Sequence, residues 1–124
     1  MNKPEFEFFS CEDVPWTEVT PSVPGQTERV LAVDAGSGTA TRMLRFESGA
    51  DTSPLGVLTH DFWEEVYILS GDLHDLTLDQ VFTEGMYACR PPGMPHGPWR
   101  SEGGCVTFEV RYPAPDAGAE RETR

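Results

Sequence analysis

Residues 56–71 read "GVLTHDFWEEVYILSG". The core of this stretch, "EEVYILS" over 64–70, is a run of strand-forming residues closed by a Ser-Gly turn signal. In extended chain, alternate side chains face the same way. Glu64, Val66, Ile68 and Ser70 therefore share one face, and Glu65, Tyr67 and Leu69 the other. Both faces are largely apolar, which predicts a strand covered on both sides: one the interior, the other a subunit interface or a wrapping segment. Whichever glutamate lies inward is a carboxylate in an apolar place, a costly position unless it is paired or metal-bound.

The same alternation repeats along the chain. Strands are predicted near 28–33 ("ERVLAV"), 39–47 ("TATRMLRFE"), 57–60, 64–70, 72–78, 80–83, 86–90 and 105–112 ("CVTFEVRY"). Between them stand "DAGSG", "ESGADTSP", "SGD" and "TEG", all turn chemistry. No segment keeps apolar residues at helical spacing beyond two turns. About eight short strands in a chain of 124 residues indicate one all-β domain, a sandwich or barrel. The expected organisation is an irregular N-terminal wrap or edge strand over 1–26, a β-barrel over 27–113 and a disordered polar tail over 114–124. Phe8, Phe9 and Trp16 are the expected anchors of the wrap.

Composition excludes several classes. A net charge of −12 opposes phosphate backbones and anionic lipid, so neither nucleic acid nor a membrane is an expected partner. No run is long and apolar enough for a membrane span, and the first residues lack a secretory pattern. Cys11, Cys89 and Cys105 are odd in number and widely spaced, which suits reduced thiols and a cytoplasmic location.

Two segments carry histidines. His60 stands on the predicted strand 57–60, facing the same way as Leu58. His96 ends "GMYACRPPGMPHG", residues 85–97, where prolines fix the backbone and Gly93 permits a tight turn. Six residues separate Glu64 from Gly71, and three separate His60 from Glu64. Gly85, Pro91, Gly93 and His96 follow a second fixed spacing. These are the spacings of the two motifs of the cupin superfamily, which the chain resembles over about residues 40–110. It departs from the first motif at Leu58, where the family places its leading histidine, and from the second at Arg100, where the family has asparagine. The phrasing "EEVYILSGDLHD" and "GMYACRPPGMPHGPWR" is similar to the small cupins grouped with the ChrR C-terminal domain and the acetylacetone-cleaving dioxygenases. The resemblance implies a single-domain, RmlC-like jelly-roll barrel that holds a divalent metal.

On that resemblance His60, Glu64 and His96 are the candidate metal ligands and catalytic residues, and they are expected to converge inside the barrel while Glu65 points away. Two histidines and one carboxylate suffice for Fe(II) and equally suit Zn(II), Ni(II) or Mn(II). Tyr67 is a candidate proton donor. Arg42, Leu58 and Phe46 are candidate substrate contacts, Arg42 through an anionic or carbonyl oxygen. The leading reading is a small-molecule enzyme using the metal on a carbonyl or aromatic ketone substrate, with dioxygenase-type chemistry if the metal is iron. A second is a metal-free lyase, isomerase or cyclase in which His60 is the general base, Glu64 orients it, and a tyrosine or His96 is the acid. A third is a ligand- or metal-binding sensor module without chemistry. The two apolar faces of 64–70 make a homodimer the expected assembly.

Overall fold

The computed structural model describes residues 2–115. Eight strands follow in order: β1 (Thr17–Glu18), β2 (Gln26–Val33), β3 (Ala40–Phe46), β4 (Phe62–Asp75), β5 (Gln80–Thr83), β6 (Tyr87–Arg90), β7 (Trp99–Arg100) and β8 (Cys105–Pro113). The helical segments among the described residues are two short 3-10 turns, Cys11–Asp13 and Ser53–Leu55. Strands lie in the order β1-β2-β3-β8-β4-β5, with β6 and β7 also paired to β4. This antiparallel sheet curls on itself into the jelly-roll barrel that the sequence predicts.

β4 is the organising strand. Its first ten residues pair with β8, from Phe62 opposite Pro113 to Gly71 opposite Cys105. Its last four pair with β5, and His74 and Asp75 also pair with β7. The separate strands predicted at 64–70 and 72–78 are thus one strand, ending at Asp75. "SGD" is a bulge and not a reversal: the register slips between Ile68 and Ser70, and Gly71 takes φ +86°. A Cβ at Gly71 would sit 1.9 Å from the Gly104 carbonyl oxygen, so only glycine lets β4 and the start of β8 approach this closely. The strand predicted at 57–60 does not form; Leu58 alone makes an isolated bridge, to His96. β1 and β7, two residues each, are too short to leave an alternating pattern.

The N-terminal segment runs outside β2 and contributes β1 to its edge. Trp16 holds it there, with the Arg29 and Arg45 guanidiniums 4.3 and 4.5 Å from its ring centroid. Phe8 and Phe9 do not anchor it. Both are exposed, and Phe9 packs edge-on against Phe6 at the surface. The tail predicted over 114–124 lies outside the described residues from 116 onward.

Leu44, Phe46, Ala50, Ile68, Leu73, Trp99 and Cys105 form the apolar core. Burial pushes the Cys105 thiol up to about 12, so it packs as a small hydrophobe. Beside this core the interior turns polar, with Arg42, Glu64, Glu109 and His96 all buried.

Candidate metal centre

The polar part of the interior is a cavity of about 240 Å³. Glu64 enters it from β4 as the inward member of the Glu64–Glu65 pair. His60 enters from the segment just before β4, its ring stacked on Phe62 at 4.5 Å. His96 arrives from the Pro-Gly turn, which backbone hydrogen bonds lock onto the His60 segment. Gly93 N–H donates to the His60 carbonyl at 2.7 Å, and Leu58 and His96 exchange bonds of 2.8 and 2.9 Å. The ring centroids of His60 and His96 lie 4.8 Å apart. One ligand atom from each of His60, Glu64 and His96 falls within 4.8 Å of the others.

Electrostatics prepare these three groups for a cation. Burial pushes both imidazoles below the usual histidine range, and arginine charges nearby act in the same direction. Both rings are therefore neutral near pH 7, with a lone pair available. The His96 Nδ1 lies 3.3 Å from the Met94 carbonyl, which assigns the ring proton to Nδ1 and leaves Nε2 free. Burial opposes ionisation of Glu64, but Arg111 and Arg90 outweigh it and hold the carboxyl below its usual range. Arg90 Nη1 donates to Glu64 Oε1 at 3.0 Å, and Arg111 Nε to Oε2 at 3.3 Å.

Arg42, Phe46 and Leu58 all line the same cavity. Each nitrogen of the Arg42 guanidinium has a carboxylate partner: Nε donates to Glu109 at 3.0 Å, Nη1 to Glu28 at 2.8 Å, and Nη2 lies 2.8 Å from Glu109. Tyr67 is elsewhere. Three residues beyond Glu64, it falls on the opposite face of β4 and stands exposed, so it is not a proton donor to this cavity. Tyr87, opposite Tyr67 on β6, donates its hydroxyl to Glu65 on the outside, as does Tyr112 at 2.8 Å. No tyrosine lines the cavity among the described residues.

Sequence reasoning missed Arg90, Arg111 and Glu109. One signal was available for two of them. In "CVTFEVRY" the alternation sets Cys105, Thr107, Glu109 and Arg111 on one face and Val106, Phe108 and Val110 on the other. The charged face is the one that turns inward.

An antiparallel jelly-roll whose bore carries two histidines and a glutamate from these two segments is a cupin. More particularly, the chain belongs to the ChrR cupin-like domain family, whose sequence model matches residues 5–114. Among solved structures it is similar to an RmlC-like cupin from Shewanella frigidimarina, with a TM-score of 0.71 at 20% identity, covering 94% of this chain and 97% of that one. It is also similar to the polyketide cyclase RemF from Streptomyces resistomycificus (TM-score 0.69, 20% identity, covering 87% and 80%). An acetylacetone dioxygenase from Acinetobacter johnsonii is a third (TM-score 0.68, 13% identity, covering 88% and 74%). At these identities the likeness concerns the fold. No curated protein matches the sequence.

Proposed function

We propose that the cavity is the site of a small-molecule enzyme that holds a divalent metal through His60, Glu64 and His96. The observation that carries this reading is the convergence of their three ligand atoms within 4.8 Å inside a cavity. Two neutral imidazoles and an ionised carboxylate are the donor set of open non-haem iron sites, and they serve zinc, nickel or manganese as well. That Glu64 also accepts from two arginines fits this role, since ligating carboxylates are held by outer hydrogen bonds. Leu58 stands where a fourth ligand would come and offers none, so a metal held by the other three would have room for substrate or water.

A bound metal would polarise a carbonyl oxygen as a Lewis acid and, if iron, support dioxygenase-type chemistry. The protein's own residues supply the rest. Leu44, Phe46, Leu58 and Phe62 give the cavity apolar walls. Its volume is below the roughly 300–1,000 Å³ of pockets for drug-sized ligands, so the substrate is small. The likeness to an acetylacetone dioxygenase and a polyketide cyclase supports a carbonyl compound. Free thiols and a net charge of −12 support a cytoplasmic protein without nucleic-acid or membrane partners. No helix among the described residues is long and apolar enough to cross a membrane. The exposed apolar groups on the outer face of β4, β6 and β8, namely Tyr67, Leu69, Tyr87 and Phe108, support a homodimer through that face.

The test is metal analysis of protein purified without chelators, followed by oxygen uptake with acetylacetone on the iron-loaded form. About one metal per chain is expected, as three converging donors require. Protein that holds no metal and gains no thermal stability from iron, zinc or nickel would end this reading. In that event the metal-free reading would stand with His60 as base but without the orienting role expected of Glu64, whose two oxygens accept from Arg90 and Arg111 and not from His60.

A further inference from the structure

The charges around the cavity are unevenly distributed. Arg42 is shared by two carboxylates, Glu28 and Glu109. At the histidine end the ratio is reversed, because Glu64 alone serves two guanidiniums. The register sets Arg90 and Arg111 directly opposite Glu64, one on each neighbouring strand, so three charges stand in a row across the sheet as plus, minus, plus. Each of these arginines makes one side-chain hydrogen bond among the described residues, whereas a guanidinium has five N–H donors. Both line the cavity. Each is also steadied on an aromatic ring, Arg90 over Trp99 and Arg111 over Phe62, both at 5.1 Å.

Two arginines with unused donors, held on aromatic platforms beside a single carboxylate, form an anion clamp. We propose that Arg90 and Arg111 bind the carboxylate of a small organic acid, which is the substrate class of this cavity. The neighbouring walls, Leu58 and Phe62 among them, select an acid with an apolar body over an inorganic anion. The inference deepens the proposed function, and it rests on that reading only where a metal adds charge. Three arginines and two glutamates line the cavity, and Glu28, outside the lining, pairs with Arg42 and completes the balance, so a divalent cation would leave an excess of two positive charges. An excess charge out of water is unfavourable without a counter-ion. Metal and organic anion therefore bind cooperatively, each raising the affinity of the other.

Isothermal titration calorimetry with benzoate, its uncharged isostere benzamide, and inorganic phosphate tests the clamp, on chelator-treated and on zinc-loaded protein. Benzoate should bind chelator-treated protein about tenfold tighter than benzamide, the effect of one charge-assisted contact. Zinc should widen the gap. Arg111→Gln should bring benzoate down to the benzamide level, and Glu64→Gln, which removes the internal competitor, should tighten benzoate without any metal. Equal binding of benzoate and benzamide to the wild type, or benzoate binding unchanged in Arg111→Gln, would overturn the clamp. Phosphate bound in preference to benzoate would overturn the organic-acid class. Should either variant fail to fold, the wild-type comparison still decides. Zinc loading without benzoate preference refutes the clamp alone, and benzoate preference without zinc loading refutes the metal reading alone.

Discussion

Glu64 and Glu65 are the same residue type, one peptide apart on one strand, and they live in opposite environments. Glu64 is buried and ion-paired to Arg90 and Arg111. Glu65 faces outward and accepts hydrogen bonds from the neutral hydroxyls of Tyr87 and Tyr112. Both carboxyls fall below their usual range, by different routes. For Glu64 opposite charge overcomes burial, while for Glu65 two phenol donors stabilise the anion. A lowered carboxyl is therefore no sign of a site in itself. What separates the two is what an unpaired partner would suffer: a stranded guanidinium inside the barrel, or a phenol that turns to water.

Removing each carboxylate should break the symmetry most sharply. Glu64→Ala strands two charges and should destabilise the fold by about 3 kcal/mol, the low end for a broken buried pair because the Arg111 side chain keeps 26% exposure. Glu65→Ala should leave the urea midpoint nearly unchanged. Equal midpoints for the two variants would refute the contrast.

Metal content should separate the faces next. His96→Ala should abolish retention of iron, zinc and nickel, and Leu58→His should tighten it by adding a nitrogen beside the other donors. Tyr67→Phe, on the far side of β4, should leave all three affinities as they were. Equilibrium dialysis reads each case.

Acid sharpens the comparison further. The imidazoles of His60 and His96 sit below their ordinary 6.5, so the unfolded chain takes up protons first as pH falls. Stability of the metal-free protein should decline from about 6.5 downward through the lower folded values. The ionised Glu64 stabilises above its ordinary 4.5, and that contribution should fade only below it, as pH falls through the lower folded value. Denaturant midpoints against pH should thus fall in two stages, with the upper stage absent in a His60→Gln, His96→Gln double variant. A midpoint flat from 7 to 5 would contradict the burial of the rings. The smallest effect belongs to Tyr112→Phe: the Glu65 carboxyl should rise toward its ordinary value in a carbon-detected NMR titration, with metal binding unaffected.

The barrel was legible because its strands alternate and its turns carry glycine and proline. The convergence of His60, Glu64 and His96 was legible through motif spacing, whereas alternation on β3 placed Arg42 with Leu44 and Phe46 without deciding which way that face turned. What escaped was everything that depends on register. Arg90 and Arg111 gain their meaning from lying opposite Glu64, across 26 and 47 residues of chain, and no local pattern announces that. On β8 the usual guide misleads, since its charged face lines the cavity and its apolar face looks out. Gly71 misled in another way, because a glycine that reads as a reversal here lets the strand run on.

The position of β8 has a consequence in time. The last strand of the barrel inserts between β3 and β4, pairing with the full length of the former and most of the latter. A nascent chain can form the β2–β3 hairpin and the β4–β5 turn early, but their shared neighbour emerges last. Until it docks, the facing edges of β3 and β4 are open, Glu64 lacks Arg111, and Arg42 lacks Glu109. Such non-local pairing makes for slow folding with exposed strand edges. Synthesis must therefore pass Pro113 before the interior exists at all, and a chain cut short of β8 should present two sticky edges to its neighbours in place of a binding site.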